Sequence, residues 1–186
     1  MFYTGKGDDG KTNLFCCDQR LTKSSLMSEA LGAVDEINSF LGWCKVKVDQ
    51  ESKLKNLGEE EIKKILEETQ NGLFSVQAEL AGASKFVSTE LVKKMEKEIS
   101  LVEKEIPAIE SFIMAGGSEL SAMFDYGRTI ARRAERTVVK VKDQGEQEIQ
   151  VETLAFLNRL SSLLYALARL VNFRLGVKES SPKYEK

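Results

Sequence analysis

The chain has 186 residues, with 27 Lys plus Arg against 29 Asp plus Glu, no histidine and only three cysteines, Cys16, Cys17 and Cys44. That length suits one domain of roughly 150 residues, and the net charge of −2 argues against a broad basic footprint for nucleic acid or an acidic membrane. Without imidazole there is no His-based triad, no His general base and no His-dependent zinc site, and the cysteines form neither a disulfide framework nor a four-thiolate site.

No signal-peptide core follows Met1, and no apolar run approaches the roughly 18–20 residues of a membrane span. A single cytoplasmic domain over 1–186 is therefore expected. It opens with a glycine-rich segment, 1–25, and ends in a polar tail, 178–186, that is expected to be flexible.

Residues Gly5 to Thr12 match G-x-x-x-x-G-K-T literally. Glycines in such a loop let backbone N–H groups turn toward phosphate oxygens, and lysine adds charge. A P-loop ATPase or kinase needs a buried strand before the motif and a helix directly after it. Only four residues precede Gly5, and Asn13 to Asp18 does not open like a helix. The NTPase fold is rejected on that context. The loop itself, with Lys6 and Lys11, stays open between a triphosphate cradle and a solvated terminus.

Two prolines in a chain rich in Leu, Glu, Lys and Ala favour helix. Spacing predicts helices over Ser28 to about Val48, along the stripe Ile62, Leu66, Thr69, Leu73, Val76 and Leu80, and over Thr89 to about Glu105. A fourth stripe runs Leu120, Phe124, Gly127, Ala131, Ala134, Val138 and Val141, and a fifth runs Leu157, Leu160, Leu164, Leu167 and Val171. Ser88 carries an N-cap signal, Pro107 stops the third helix, and Gly116-Gly117-Ser118 breaks the chain before the fourth. Loops fall near 49–58, 84–88, 106–118 and 143–148. The fold class is all-α, a five-helix bundle of ferritin-like up-and-down arrangement.

Arg128, Arg132 and Glu135 fall within roughly 60° of one another on the fourth helix, beside its apolar stripe. They are either a surface ladder of i, i+4 pairs or one wall of a partly buried site. Arg133 and Arg136 point elsewhere and read as solvated. Asp35 stands at the margin of an apolar face, where it is a surface acid or wants an arginine partner. Asn158 opens the last apolar stripe and either meets a ligand or faces water.

Together these segments resemble the PduO-type ATP:cob(I)alamin (corrinoid) adenosyltransferases. The resemblance rests on five motifs in order over residues 2 to about 173: Phe2 to Thr12, Gly32 to Gly42, Phe112 to Gly117, Arg128 to Arg136, and Leu157 to Ser161. It implies a homotrimer in which ATP and corrinoid meet at subunit interfaces, with Mg²⁺ on the ATP phosphates. It implies ATP binding by Thr4, Gly5, Lys6, Gly7, Thr12, Asn13 and Lys23, by Arg132, Arg133, Glu135 and Arg136, and by Asn158. It also implies an Asp35–Arg128 ion pair across the interface and Phe112 against the lower face of the corrin, so that Arg132, Arg128, Asp35 and Phe112 form the catalytic set. A flavoprotein reductase and an adenosylcobalamin-dependent acceptor are the partners it implies. The departures are Lys11, Cys16-Cys17, Leu26-Met27, Ala115 and Ser162, where the family pattern has other residues. A P-loop ATPase or kinase, or a non-catalytic helical carrier or interaction module, are the competing functions.

Overall fold

The computed structural model describes residues 2–14, 20–55 and 57–184. Cys16 and Cys17 lie outside them. The helices are α1 (Leu26–Gln50), α2 (Glu59–Leu80), α3 (Thr89–Glu105), α4 (Glu119–Asp143) and α5 (Val151–Arg174). All five expected helices form, and α1 begins two residues earlier than its periodicity implied because Ser25 caps it, accepting from the Ser28 N–H at 3.2 Å. Ser88 does the same for α3 through the Leu91 N–H at 3.2 Å. These side-chain oxygens satisfy donors that the first helical turn leaves unpaired.

One short hairpin accompanies the five helices of the all-α bundle. Strands β1 (Lys11–Asn13) and β2 (Arg20–Thr22) pair antiparallel, with Lys11 opposite Thr22 and Asn13 opposite Arg20. The glycine loop therefore runs into a strand, not a helix, which removes the P-loop fold on structural grounds.

Helix α4 packs on both α1 and α5, α1 also packs on α2, and α3 packs on α5. The stripes are the reason. Leu66, Leu73, Leu120, Phe124, Ala131, Ala134, Val138, Leu157, Leu160 and Leu164 are all fully buried. Gly72 leaves room for the Phe156 ring beside α2, since a Cβ there would fall 2.6 Å from the ring. Helix α5 is long and apolar enough to cross a membrane, contrary to the reading of the sequence, yet 67% of its apolar window is buried in the bundle. It is the core helix. Its N-terminus is closed by Glu79 of α2, whose carboxylate accepts from the Gln150 N–H at 2.6 Å and from the Thr153 hydroxyl, a favourable place for negative charge.

Cys44 is fully buried in this core, and burial pushes its thiol up to about 12. Only the thiolate reacts readily. Alkylation at pH 8 followed by mass spectrometry should leave Cys44 unmodified in the native protein and modify it in denaturant; rapid native labelling would mean that the core opens there.

The polar tail was expected to fray, but its first residues are docked. Met114 N–H donates to the Ser180 carbonyl at 2.8 Å, and Glu179 accepts from Arg169 at 3.1 Å.

Candidate active site

Residues 106–118, between α3 and α4, are held from beneath by α5 and the start of α4. Asn172 accepts from the Ser118 N–H at 3.0 Å and donates to the Gly116 carbonyl at 2.9 Å. Asp125 accepts from the Gly116 N–H at 3.0 Å, and the Ser121 hydroxyl donates to the Gly116 carbonyl at 3.1 Å. Gly117 sits at φ +106°, and a Cβ there would lie 2.6 Å from Asn172. A Gly117→Ala change should therefore cost about 1–3 kcal/mol of stability, measured by thermal unfolding; an unchanged midpoint would show that the loop relaxes freely.

So anchored, the loop raises Phe112 to 80% exposure on the rim of a cleft of about 660 Å³. Arg128 and Arg132 line it from α4, and Ser161, Ser162 and Tyr165 from α5. The volume is that of a small-molecule site. Burial pushes the Tyr165 phenol up from its ordinary value. The Nε of Arg128 is buried and, among the described residues, has no hydrogen-bond partner. A buried donor without a partner is costly.

A second cleft, of about 610 Å³, lies between the hairpin, α1 and α2. Thr12, Asn13, Ser28, Phe74 and Gln77 line it. The glycine loop beside it is shaped by Gly5 and Gly10, both at positive φ (+69° and +77°), a conformation glycine adopts without strain. Arg20 pins the loop, donating to the Lys6 carbonyl at 2.6 Å and to Asp9 Oδ1 at 2.9 Å. The Lys11 N–H and the Arg20 guanidinium hold the Asp9 carboxyl below its ordinary value. Lys23 lies over Gly7, where a Cβ would come within 3.1 Å of its ammonium. Thr4, Lys6 and Lys23 are exposed and Gly7 is half-buried. Asp35 is exposed, and its nearest tie is a long 3.5 Å contact from Gln77, itself part of this cleft.

The sequence candidates thus fall into two groups. Phe112, Arg128 and Arg132 share the first cleft; Thr12 and Asn13 belong to the second, with Asp35 next to it through Gln77. The two clefts share no lining residue. Asn158 is exposed and Glu135 half-buried, and neither lines either cleft. Arg133 is paired with Glu36 of α1, and Arg136 is exposed; neither lines either cleft. Arg20, Ser161 and Tyr165 were not singled out from the sequence. Ser161, Tyr165, Arg169 and Asn172 follow one another at i, i+4, i+8 and i+11, a polar stripe on α5 that was there to be read.

Residues 2–171 match the sequence model of the cobalamin adenosyltransferase family. The chain belongs to that family. A corrinoid adenosyltransferase from Bacillus subtilis (strain 168) is 35% identical over 179 residues, covering 94% of this chain and 88% of the relative. The corrinoid adenosyltransferase PduO of Citrobacter freundii is 36% identical over 174 residues, and there the match covers 90% of this chain but 48% of the relative. Among solved structures, a variant of the PduO-type ATP:corrinoid adenosyltransferase from Lactobacillus reuteri, complexed with cobalamin and ATP, shares the fold with a TM-score of 0.88 at 31% identity, over 99% of this chain and 100% of that one. A second variant of the Lactobacillus reuteri enzyme, complexed with ATP, gives 0.84 over 97% and 99%. The described residues of this member of the cobalamin adenosyltransferase family therefore share the fold of that enzyme.

Proposed function

We infer that the chain transfers the 5′-deoxyadenosyl group of ATP to cob(I)alamin or a related corrinoid, releasing triphosphate. The observation that carries this reading is the likeness over 99% of the chain to an enzyme complexed with cobalamin and ATP. In the reaction the Co(I) electron pair forms the Co–C5′ bond, the C5′–O bond breaks, and triphosphate leaves with that bond's electrons. Cob(I)alamin is itself a strong nucleophile, so a protein without histidine lacks nothing it needs for attack. What the protein supplies is alignment of cobalt with C5′ and preset cations for the leaving group.

The division of labour follows the two clefts. The glycine loop, with Thr4, Gly5, Lys6, Gly7, Thr12, Asn13 and Lys23, binds the triphosphate. The cleft of Arg128, Arg132 and Phe112 receives the corrinoid, with Arg132, Glu135 and Asn158 turned to ATP. Arg133 and Arg136 contribute positive potential from outside the clefts. The bundle, ferritin-like and up-and-down in this reading, works as a homotrimer, in which the loop and Asp35 of one subunit close on the α4–α5 cleft of the next. Two observations favour this: the unpaired buried Nε of Arg128 and the weakly tied Asp35. Mg²⁺ would be held by the phosphates of ATP, whose charge it would offset. A reducing cytoplasmic setting, a flavoprotein that delivers electrons and an acceptor for adenosylcobalamin complete the proposal.

The test is anaerobic: purified protein with cob(I)alamin, Mg²⁺ and ATP, following the cobalt spectrum and the phosphate product. Adenosylcobalamin with triphosphate is the expected outcome; orthophosphate without conversion would overturn it. In the same assay Arg132→Ala should lower kcat by about 10²–10³, the usual cost of one preset donor, and near-normal turnover would remove Arg132 from the site.

A further inference from the structure

Phe112 is an aromatic side chain with little around it, so its position is set by its backbone. Among the described residues three hydrogen bonds hold 107–114. The Pro107 carbonyl accepts from Arg169 at 3.1 Å. The Ser111 and Ser181 hydroxyls meet at 2.7 Å, and the Met114 N–H donates to the Ser180 carbonyl at 2.8 Å. Two of the three come from the C-terminal segment, and they bracket Phe112. The segment is tied to the same arginine: Arg169 Nε donates to Glu179 at 3.1 Å, and the two side chains are only 9% and 21% exposed. One buried guanidinium thus joins Pro107, near the start of the loop, to the tail. In so poorly solvated a place, truncating Glu179 to a side chain without an acceptor would leave the buried Arg169 Nε–H unsatisfied.

We propose that residues 178–181 form a strap which, anchored on Arg169, sets the position of Phe112 over the cleft. This rests on the reading of Phe112 given above as the group facing the lower side of the corrin. In that reading the strap governs the step that needs Phe112 in place, one-electron reduction of bound cob(II)alamin by an added reductant, and not the later attack on ATP. Arg169 and Glu179 are positioning residues.

The test compares the full chain with a deletion of residues 178–186, with Glu179→Ala, and with Glu179→Gln, whose amide oxygen can still accept from Arg169. Turnover from cob(II)alamin plus reductant should fall about tenfold in the deletion and in Glu179→Ala, while turnover from preformed cob(I)alamin and the KM for ATP stay within about twofold. The electron paramagnetic resonance signal of four-coordinate cob(II)alamin, measured with ATP present, should fall in parallel, and Glu179→Gln should recover most of it. Amide exchange of 108–114 should speed up while that of α4 does not change. Equal losses from both cobalt states, or an unchanged signal with unchanged loop exchange, would overturn the proposal. Should the deletion lose its helicity, Glu179→Ala against Glu179→Gln makes the same comparison on an intact chain, and equal behaviour of the two would count against the strap. Failure of the underlying reading would show separately, as a Phe112→Ala protein with no selective loss from cob(II)alamin while loop exchange still responds to the deletion.

Discussion

Asp35→Arg and Arg128→Asp should each lower kcat/KM by about 10²–10³ if the two residues pair across the interface of the proposed trimer, since removing one partner of a buried charge pair costs about 3–5 kcal/mol. Mixing the two inactive proteins, after subunit exchange, should restore activity. Within one chain Asp35 has only a 3.5 Å contact from Gln77, and the Nε of Arg128 is buried without a partner among the described residues. If each residue pairs with its counterpart on a neighbouring subunit, an Asp35→Arg trimer sets arginine against arginine at every interface, and an Arg128→Asp trimer sets aspartate against aspartate. In mixed trimers every contact between unlike chains is complementary, one of them in the native sense, Asp35 with Arg128. A pair formed within one chain could not be rescued this way. Sedimentation of the single variants would show whether the loss comes with dissociation. Mixed samples that fully exchange subunits and stay inactive would remove the cross-interface pair, and with it the argument for a shared site.

The five helices were legible because their stripes are long: seven apolar or small positions at spacing three or four on α4, all buried, leave no other regular structure available. The hairpin was not, because each of its strands has three residues, too few for alternation to register. The anchors of the Phe112 loop were hidden for a different reason. Ser161, Tyr165, Arg169 and Asn172 share α5 with Leu160, Leu164, Leu167 and Val171, and the apolar stripe dominates the eye. The polar composition of 178–186 predicts fraying, yet residues 179–181 are held, Glu179 by a buried guanidinium on α5, a fact of three-dimensional placement. The same limit applies to the site. Five motifs lie along one chain, but the fold puts Thr12 and Asn13 in one cleft and Arg128, Arg132 and Phe112 in another, and linear order carries no sign of that division.

Phe112→Ala should lower turnover from cob(II)alamin plus reductant by about 100-fold, equivalent to about 2.7 kcal/mol on the barrier, and leave kcat from preformed cob(I)alamin within a few-fold. The asymmetry follows from what a phenyl ring can and cannot do. It offers no lone pair to cobalt, and in the proposed position under the corrin it would exclude the water or base nitrogen that otherwise takes the lower axial position. Co(II) with that position filled is harder to reduce, because the added electron must enter an orbital that the axial donor raises. Co(I) carries no such ligand, so once it is supplied the ring has no donor left to exclude. Phe112→Ala also removes apolar contact worth roughly 1.5–3 kcal/mol when buried, which would appear with either cobalt state as a higher KM for corrinoid. The role is therefore read in kcat, where contact and coordination separate. Phe112→Leu, apolar and without a donor atom, should keep most of the cob(II)alamin rate. Equal losses of kcat from both cobalt states would mean that Phe112 only packs against the corrin, and that control of the axial position has to come from another wall of the cleft.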